Sequence, residues 1–251
     1  MSVPTPVPRP APGAPPRLQV DGLTVAFGGL TALDDVTFDV GHGEVVALIG
    51  PNGAGKTTAF NAVCGLVRRR AGRIALDGRP VPRSTVGLTR AGVARTLQGL
   101  GLFDGLTVLE HVLAPLGRAP RAEASAAALA VLADLGLGDL AGRRVDELPY
   151  PVRKRVALAR ALVTRPTLLL LDEPAGGLGS EDIADLAATV RRVADGGCAV
   201  LLVEHHVDFV MGLADRIVVL DFGRVIARGT PADVQADPAV EAAYLGVQAA
   251  S

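Results

Sequence analysis

The stretch Gly50-Pro51-Asn52-Gly53-Ala54-Gly55-Lys56-Thr57 decides how this sequence is read. It fits the pattern G-x-x-x-x-G-K-(S/T) at every fixed position, and its context is the one that pattern needs. The apolar run Glu44-Val45-Val46-Ala47-Leu48-Ile49 precedes it as a buried strand, and a helix is expected over Lys56 to Leu66. Glycines let the backbone curl until its N–H groups converge on an anion, and the helix start adds its positive end. Gly50, Pro51, Asn52, Gly53, Ala54, Gly55, Lys56, Thr57 and Thr58 are therefore the candidate phosphate-binding residues. Lys56 is expected to reach the β- and γ-phosphates of a nucleotide, and Thr57 to ligate Mg2+.

A second motif matches the first. Leu168-Leu169-Leu170-Leu171-Asp172-Glu173 is an apolar strand that ends in two acids. In an open sheet of parallel strands ligands bind beyond the carboxyl ends, where this pair falls. Asp172 suits the shell of a Mg2+ ion. Glu173 suits general-base or orienting work on an attacking water.

Strand and helix signals alternate around both motifs. Strand runs at Thr167–Asp172, Cys198–Glu204 and Arg216–Leu220 are separated by helical stretches at 181–194 and 206–214, a pattern that implies a parallel sheet wrapped by helices. Ahead of the phosphate motif, Leu18–Phe27 and Val36–Val40 alternate apolar and polar residues around Gly28-Gly29, as antiparallel strands with one solvated face do. Residues 73–83 read as a further short strand and turn. From Leu88 to about Leu162 strand runs vanish and Ala, Leu and Arg dominate, with the alanine-rich Ala122–Leu135 a strong helix former. That region is expected to be a helical subdomain inserted into an α/β core, within one domain spanning 17–251.

Composition sets the outer limits. The 251 residues are 49% apolar but only 3% aromatic, so a core has to be built from Leu, Val and Ala. A net charge of −1 argues against a nucleic-acid surface that works by bulk charge. Cys64 and Cys198 give neither a disulfide framework nor a metal spacing, and read as small buried side chains. No apolar run approaches the roughly 18 residues of a membrane span. The N-terminus has no apolar signal core, so secretion is not expected. Residues 1–16 carry seven prolines, which favour an extended, disordered tail.

Further residues resemble the ATP-binding cassette (ABC) ATPases, in the order that family has them. Gln98, in Arg95-Thr96-Leu97-Gln98, resembles the glutamine that senses Mg2+ and touches the membrane subunit. Pro174–Ser180 resembles the loop that crosses the dimer interface. His205 resembles the switch histidine that contacts the γ-phosphate, and Phe27 the aromatic that stacks on adenine. The resemblance covers about residues 18–248. It implies a P-loop NTPase fold with an antiparallel β subdomain and the helical insertion, Mg-ATP as ligand, and Glu173, His205 and Gln98 as catalytic residues. It also makes Thr57, Asp172 and Gln98 the metal-site residues.

Within the family the likeness is to the ATPases of branched-chain amino acid importers. Phe27-Gly28-Gly29-Leu30, Leu102-Phe103, Leu106-Thr107-Val108, Glu204-His205 and Asp208-Phe209-Val210-Met211 carry it. So does a tail with Gly229-Thr230-Pro231 and Ala243-Tyr244-Leu245-Gly246. His206 stands where those relatives have Asp and is given no role. The resemblance implies membrane permease subunits, a second ABC ATPase subunit and, indirectly, a solute-binding protein as partners. It places the chain at the cytoplasmic face of the membrane.

The signature segment departs from the family. Where relatives have a form of Leu-Ser-Gly-Gly-Gln, this chain has Leu148-Pro149-Tyr150-Pro151-Val152, leading to Ala159-Arg160-Ala161-Leu162. That segment presents a hydroxyl and helix-start N–H groups to the ATP of the opposite subunit. Pro149 has no hydroxyl and Pro151 no N–H, while proline at a helix start leaves the helix intact. The expectation is a heterodimer in which this chain's own ATP is hydrolysed and the site completed by this signature is weak or silent; a homodimer, the alternative, would carry two impaired sites. An exporter ATPase, a soluble non-transport ABC ATPase and a degenerate regulatory subunit are the competing readings. Intact Lys56, Asp172, Glu173 and His205 argue against the last.

Overall fold

The structure, a computed structural model, describes residues 15–96, 100–117 and 119–248. The disorder expected for the proline-rich segment therefore falls almost wholly, at residues 1–14, outside the described residues.

Alternation in the sequence becomes a hairpin that opens the fold. β1 (Leu18–Phe27) and β2 (Leu30–Val40) pair antiparallel around Gly28-Gly29, with Phe27 opposite Leu30. β2 begins earlier than the apolar run did, because the exposed Leu30 and Thr31 and the buried Leu33 already pair with β1 while Asp34 and Asp35 interrupt the apolar pattern. β4 (Ala71–Leu76) adds to the other side of β1, and β5 (Arg79–Pro80) closes a sheet ordered β2-β1-β4-β5.

The second sheet holds the buried runs. β3 (Val45–Ile49), β6 (Val93–Arg95), β7 (Leu168–Asp172), β8 (Ala199–Val203), β9 (Arg216–Asp221) and β10 (Arg224–Gly229) lie in the order β10-β9-β3-β8-β7-β6. All neighbours are parallel except the edge pair β9–β10. Successive residues serve opposite faces. Val46, Leu48, Leu168, Leu170, Leu201 and Val203 enter the core shared with the antiparallel sheet. Val45, Ala47, Leu169, Leu171, Val200 and Leu202 enter the core on the other face. Two buried faces explain why these strands are apolar throughout rather than alternating.

Between the sheet elements run α1 (Lys56–Val63) and α2 (Thr85–Arg90), then α3 (Val108–Leu113), α4 (Arg121–Asp134) and α5 (Tyr150–Leu162). α1 stops short of the expected Leu66; Gly65 follows with φ 69°. Thr107 and Glu110 form a reciprocal capping box that starts α3. α3, α4 and α5 share a core of their own, including Val108, Val112, Leu132, Val145 and Val156, to which no strand residue contributes among the described residues. One expectation for 88–162 is corrected: β6 lies inside that range and pairs with β7. Three residues are too few to stand out as an apolar run, and pairing with a long neighbour is what makes them a strand. α6 (Ser180–Asp195), α7 (Val207–Leu213), α8 (Pro231–Gln235) and α9 (Pro238–Gln248) complete the chain. Among the described residues no helix is long and apolar enough to cross a membrane.

Candidate functional site

Register brings the motifs together. Leu48 is level with Val203, and Val203 with Asp172, across three adjacent parallel strands. Gly50, Glu204 and Glu173 therefore emerge side by side at the carboxyl edge of the sheet, Gly50 from a segment more than a hundred residues before the other two. α1 starts at the same edge. Its N-terminal flank is Gly55, which supplies no side-chain cap, and its first turn holds no acid. The first N–H groups of the helix are thus left for an anion.

The loop is built by steric necessity. Gly50, Gly53 and Gly55 have φ of 149°, 82° and 104°. A Cβ on Gly50 would lie 2.0 Å from the Leu220 carbonyl oxygen, and one on Gly55 2.7 Å from Leu33 Cδ2 and 2.9 Å from the Ala32 oxygen. Gly53 has open space around it, so there only the backbone conformation calls for glycine. Lys56 is 8% exposed. Its Nζ donates to Gly50 O at 2.7 Å and Pro51 O at 2.9 Å, curling the chain around the ammonium. Burial pushes its pKa down and the nearby Glu173 charge opposes that shift. Asn52, Gly53 and Thr57 face solvent, and Thr58 is half-buried.

Asp172 and Glu173 are adjacent acids at a partly buried edge. Burial and then the Glu173 charge push the Asp172 carboxyl above its ordinary range, with Arg95 opposing. Glu173 sits at φ 46°, a conformation that non-glycine residues seldom adopt. It is held there from both sides: its N–H donates to Val203 O at 2.9 Å, and its carbonyl accepts from Lys154 Nζ at 3.1 Å. Its carboxylate lies 3.7 Å from His205 Nδ1, an ion-pair distance beyond hydrogen-bond length. The imidazole is 59% exposed and faces the site from the end of β8.

Two residues to which the sequence reading assigned no role organise this edge. Glu204 has no exposed surface, and its carboxylate accepts from Ala175 N (2.7 Å), His205 N (2.9 Å) and His206 N (3.1 Å). One buried acid thus ties the turn after Glu173 to the turn carrying His205. Lys154 reaches from α5 to donate to Pro174 O (2.7 Å) as well as Glu173 O, and its ammonium lies 5.5 Å from the Tyr150 ring centre. The Tyr150 ring packs on Gly177, where a Cβ would meet it at 2.9 Å. Glu204 did carry a signal, an acid directly after five apolar residues. Lys154 carried none, since a lysine on an amphipathic helix reads as a solvated face.

The remaining predicted residues are spread more widely. Phe27 is 53% exposed at the β1–β2 turn, in the sheet whose Ala32 and Leu33 abut Gly55. Gln98 lies outside the described residues; the strand before it ends with Thr96 N donating to Leu170 O at 3.0 Å. His206 flanks the start of α7 with no side-chain cap bond. Pro149 and Pro151 sit at the start of α5, whose helix is intact. A cavity of about 300 Å3 opens between α5 and α6 behind Asp172 and Glu173, and none of Gly50–Thr58 lines it.

Comparison with known proteins gives this geometry a family. The sequence pattern of the family described as ABC transporter matches residues 33–176. This chain belongs to the ABC transporter ATP-binding family. A second pattern, described as branched-chain amino acid ATP-binding cassette transporter, matches residues 224–250. The high-affinity branched-chain amino acid transport ATP-binding protein BraF of Pseudomonas aeruginosa is 38% identical, over 92% of this chain and 98% of its own. LivG of Escherichia coli, with the same description, is 37% identical over the same shares. Among solved structures, the ATP-binding cassette MJ1267 superposes with a TM-score of 0.83 at 30% identity, covering 92% of this chain and 99% of that one. The ADP conformation of that cassette gives 0.81 at 28% identity, covering 91% and 98%. The fold expected from the sequence is thus the fold of the family, and this cassette is a nucleotide-binding ATPase.

The donor set of the cassette also fits Mg2+. Among the described residues no group of three or more His, Cys, Asp and Glu side chains could enclose a metal ion. A hydroxyl and one carboxylate, Thr57 and Asp172, instead match an ion that keeps several waters and takes its other ligands from phosphates.

Proposed function

We propose that this chain is the ATP-hydrolysing subunit of an importer for branched-chain amino acids or a related small polar solute. The observation that carries the substrate class is the C-terminal segment 224–250, which matches a pattern specific to those cassettes. Membrane permease subunits, a second cassette and a solute-binding protein complete the assembly, with this chain peripheral at the cytoplasmic face.

In this reading Gly50–Thr58 wraps the phosphates and Phe27 stacks on the base. Lys56 shifts its ammonium from the Gly50 and Pro51 carbonyls to the β- and γ-phosphates. Thr57 and Asp172, with Gln98, hold Mg2+, which supplies positive charge against the phosphate oxygens. Glu173 accepts a proton from the attacking water as its oxygen bonds to the γ-phosphorus and the bond to the β–γ bridging oxygen breaks, leaving ADP and phosphate. His205, beside Glu173, is placed to contact the γ-phosphate. Glu204 and Lys154 keep Glu173 and His205 at their separation.

The signature makes the pair of sites unequal. Pro149 offers no hydroxyl and Pro151 no N–H to a partner's ATP, and losing one bond to a charged group costs about 1.5–3 kcal/mol, roughly ten- to hundredfold. This chain hydrolyses its own ATP under an ordinary partner signature, while the site it completes for the partner is weak. ATPase assays on the chain alone and with a partner cassette test the asymmetry: vigorous turnover by the lone chain sinks it. Uptake of labelled leucine into vesicles holding the permeases and both cassettes tests the import reading, and ATP-driven efflux instead would refute it.

A further inference from the structure

The charge of the chain is segregated in a way that ATP hydrolysis leaves unused. The net charge is −1, yet residues 68–90 hold seven arginines and one acid, Asp77. Six of the seven are exposed and Arg69 is half-buried. Asp77 is already engaged by Arg17 at 2.8 Å and His42 at 3.0 Å. Among the described residues no carboxylate lies within ion-pair distance of any of the seven. Like charges gathered in this way repel one another and oppose folding, so the arrangement points to an anion outside the chain.

The fold brings these residues together around the β4–β5 hairpin. Gly65, at φ 69°, turns the chain out of α1 toward Arg68-Arg69-Arg70. A Cβ on Gly65 would lie 3.6 Å from Pro82 O and 3.8 Å from Arg83 O, so the approach to the triplet runs against the segment that carries Arg83. Arg70 N donates to Thr24 O at 2.7 Å, just before β4 begins. Within the hairpin Arg79 pairs with Leu76, and Arg73 Nη2 donates to Gly78 O at 3.0 Å. Two exposed aliphatic side chains stand among the arginines: Leu66 (54%) beside Gly65, and Val86 (61%) in the first turn of α2. Residues 61–95 contain no aromatic residue.

Guanidinium groups fit phosphates as bidentate forks. What surrounds the arginines separates phosphate on a nucleic acid from phosphate on a bilayer. Proteins that hold single strands through charge add aromatic rings on which bases stack, and this surface has none. Aliphatic side chains among basic ones suit a headgroup layer with acyl chains beneath it. We infer that this arginine face binds the anionic headgroups of phospholipids directly, as a membrane contact separate from the one made through the permeases. The inference rests on the reading of the chain as a peripheral subunit at the membrane. Two contacts on one chain then raise each other's effective concentration, so the bilayer helps to keep the cassette on its permeases.

The test sediments the full chain with vesicles of equal parts phosphatidylglycerol and phosphatidylcholine, and with vesicles of phosphatidylcholine alone. Binding to the anionic vesicles only is expected, weakening as salt rises. Each arginine near an anionic surface is worth about fivefold, so Arg68→Gln, Arg69→Gln and Arg70→Gln together should weaken binding about hundredfold. Removing the same charge from the helical subdomain, by Arg121→Gln, Arg143→Gln and Arg144→Gln, should change it less than about twofold. Mg-ADP binding equal to the parent's certifies that each variant is folded. Where the first triple loses its fold, Arg68→Gln and Arg83→Gln singly, each expected near fivefold, carry the same test. A chain that ignores anionic vesicles, or binds neutral ones as well, overturns the inference. So does equal loss in the two triples, which would report net charge and not this face. Tighter binding to a single- or double-stranded oligonucleotide than to the vesicles would assign the surface to nucleic acid and overturn it too. Permease-dependent uptake by the assembled transporter is measured separately, so the inference can fall while the importer reading stands.

Discussion

Replacing Glu204 by Gln tests whether one buried carboxylate holds the catalytic edge together. The side chain is fully buried and accepts three backbone N–H groups, at 2.7, 2.9 and 3.1 Å, from Ala175, His205 and His206. An amide has one acceptor atom where a carboxylate has two. In its better orientation Gln keeps the pair at His205 and His206, now as weaker neutral bonds, and turns its NH2 toward the Ala175 N–H. One charge-assisted bond lost, at about 1.5–3 kcal/mol, plus weakening of two more, is offset in part by no longer burying a charge; the net is about 2–4 kcal/mol. For a chain of this size that corresponds to a fall in Tm of about 5–15 °C. Because Ala175 follows Glu173 closely and His205, the switch histidine of the proposed function, is held by the same carboxylate, kcat should fall about 10- to 100-fold, with KM changing much less. Differential scanning calorimetry and steady-state phosphate release measure both. A variant that melts within about 2 °C of the parent and turns over normally would show that those N–H groups need no buried acceptor, and the account of this edge would be wrong.

Other predictions follow from the same geometry. Gly50→Ala should cost at least about 3 kcal/mol in urea unfolding, since its Cβ would fall 2.0 Å from the Leu220 oxygen, whereas Gly53→Ala, with open space, should cost only about 1–2 kcal/mol for its left-handed φ. Glu173→Gln should lower kcat about 10^2- to 10^4-fold while retaining ATP on a filter-binding assay; unchanged turnover would remove its assigned role. Asp172→Asn should raise the Tm of the nucleotide-free protein near neutral pH. A carboxyl whose folded pKa is raised favours the folded state while protonated, and that contribution is lost as pH climbs through the folded value. The difference between variant and parent should therefore vanish at acid pH and grow with pH above the ordinary aspartate range; a difference independent of pH would exclude this origin.

How much of this was legible in advance differs element by element. The four long leucines of β7 and the Val-rich β3 and β8 announced themselves, because strands buried on both faces have no polar positions to blur them. β6 did not, since its three residues gain their identity only from pairing with β7. Asp172, Glu173 and His205 were readable as strand-end residues, yet their closeness depends on the register Leu48–Val203–Asp172. Lys154 was invisible: its partners are backbone carbonyls about twenty residues on, and no side-chain pattern encodes a carbonyl.

The sequence by itself determined the phosphate loop, the acidic pair after a buried strand, the α/β class and the departure at Pro149 and Pro151, all local features in which spacing and residue type suffice. Only the tertiary structure decided what the loop is braced against. Leu220 and Leu33 force glycine at Gly50 and Gly55, and Glu204 fastens two turns that the chain order separates. Steric exclusion and hydrogen bonds to backbone act through space on whatever atom is near, and nearness between residues 50 and 220 is set by the packed sheet, not by any motif.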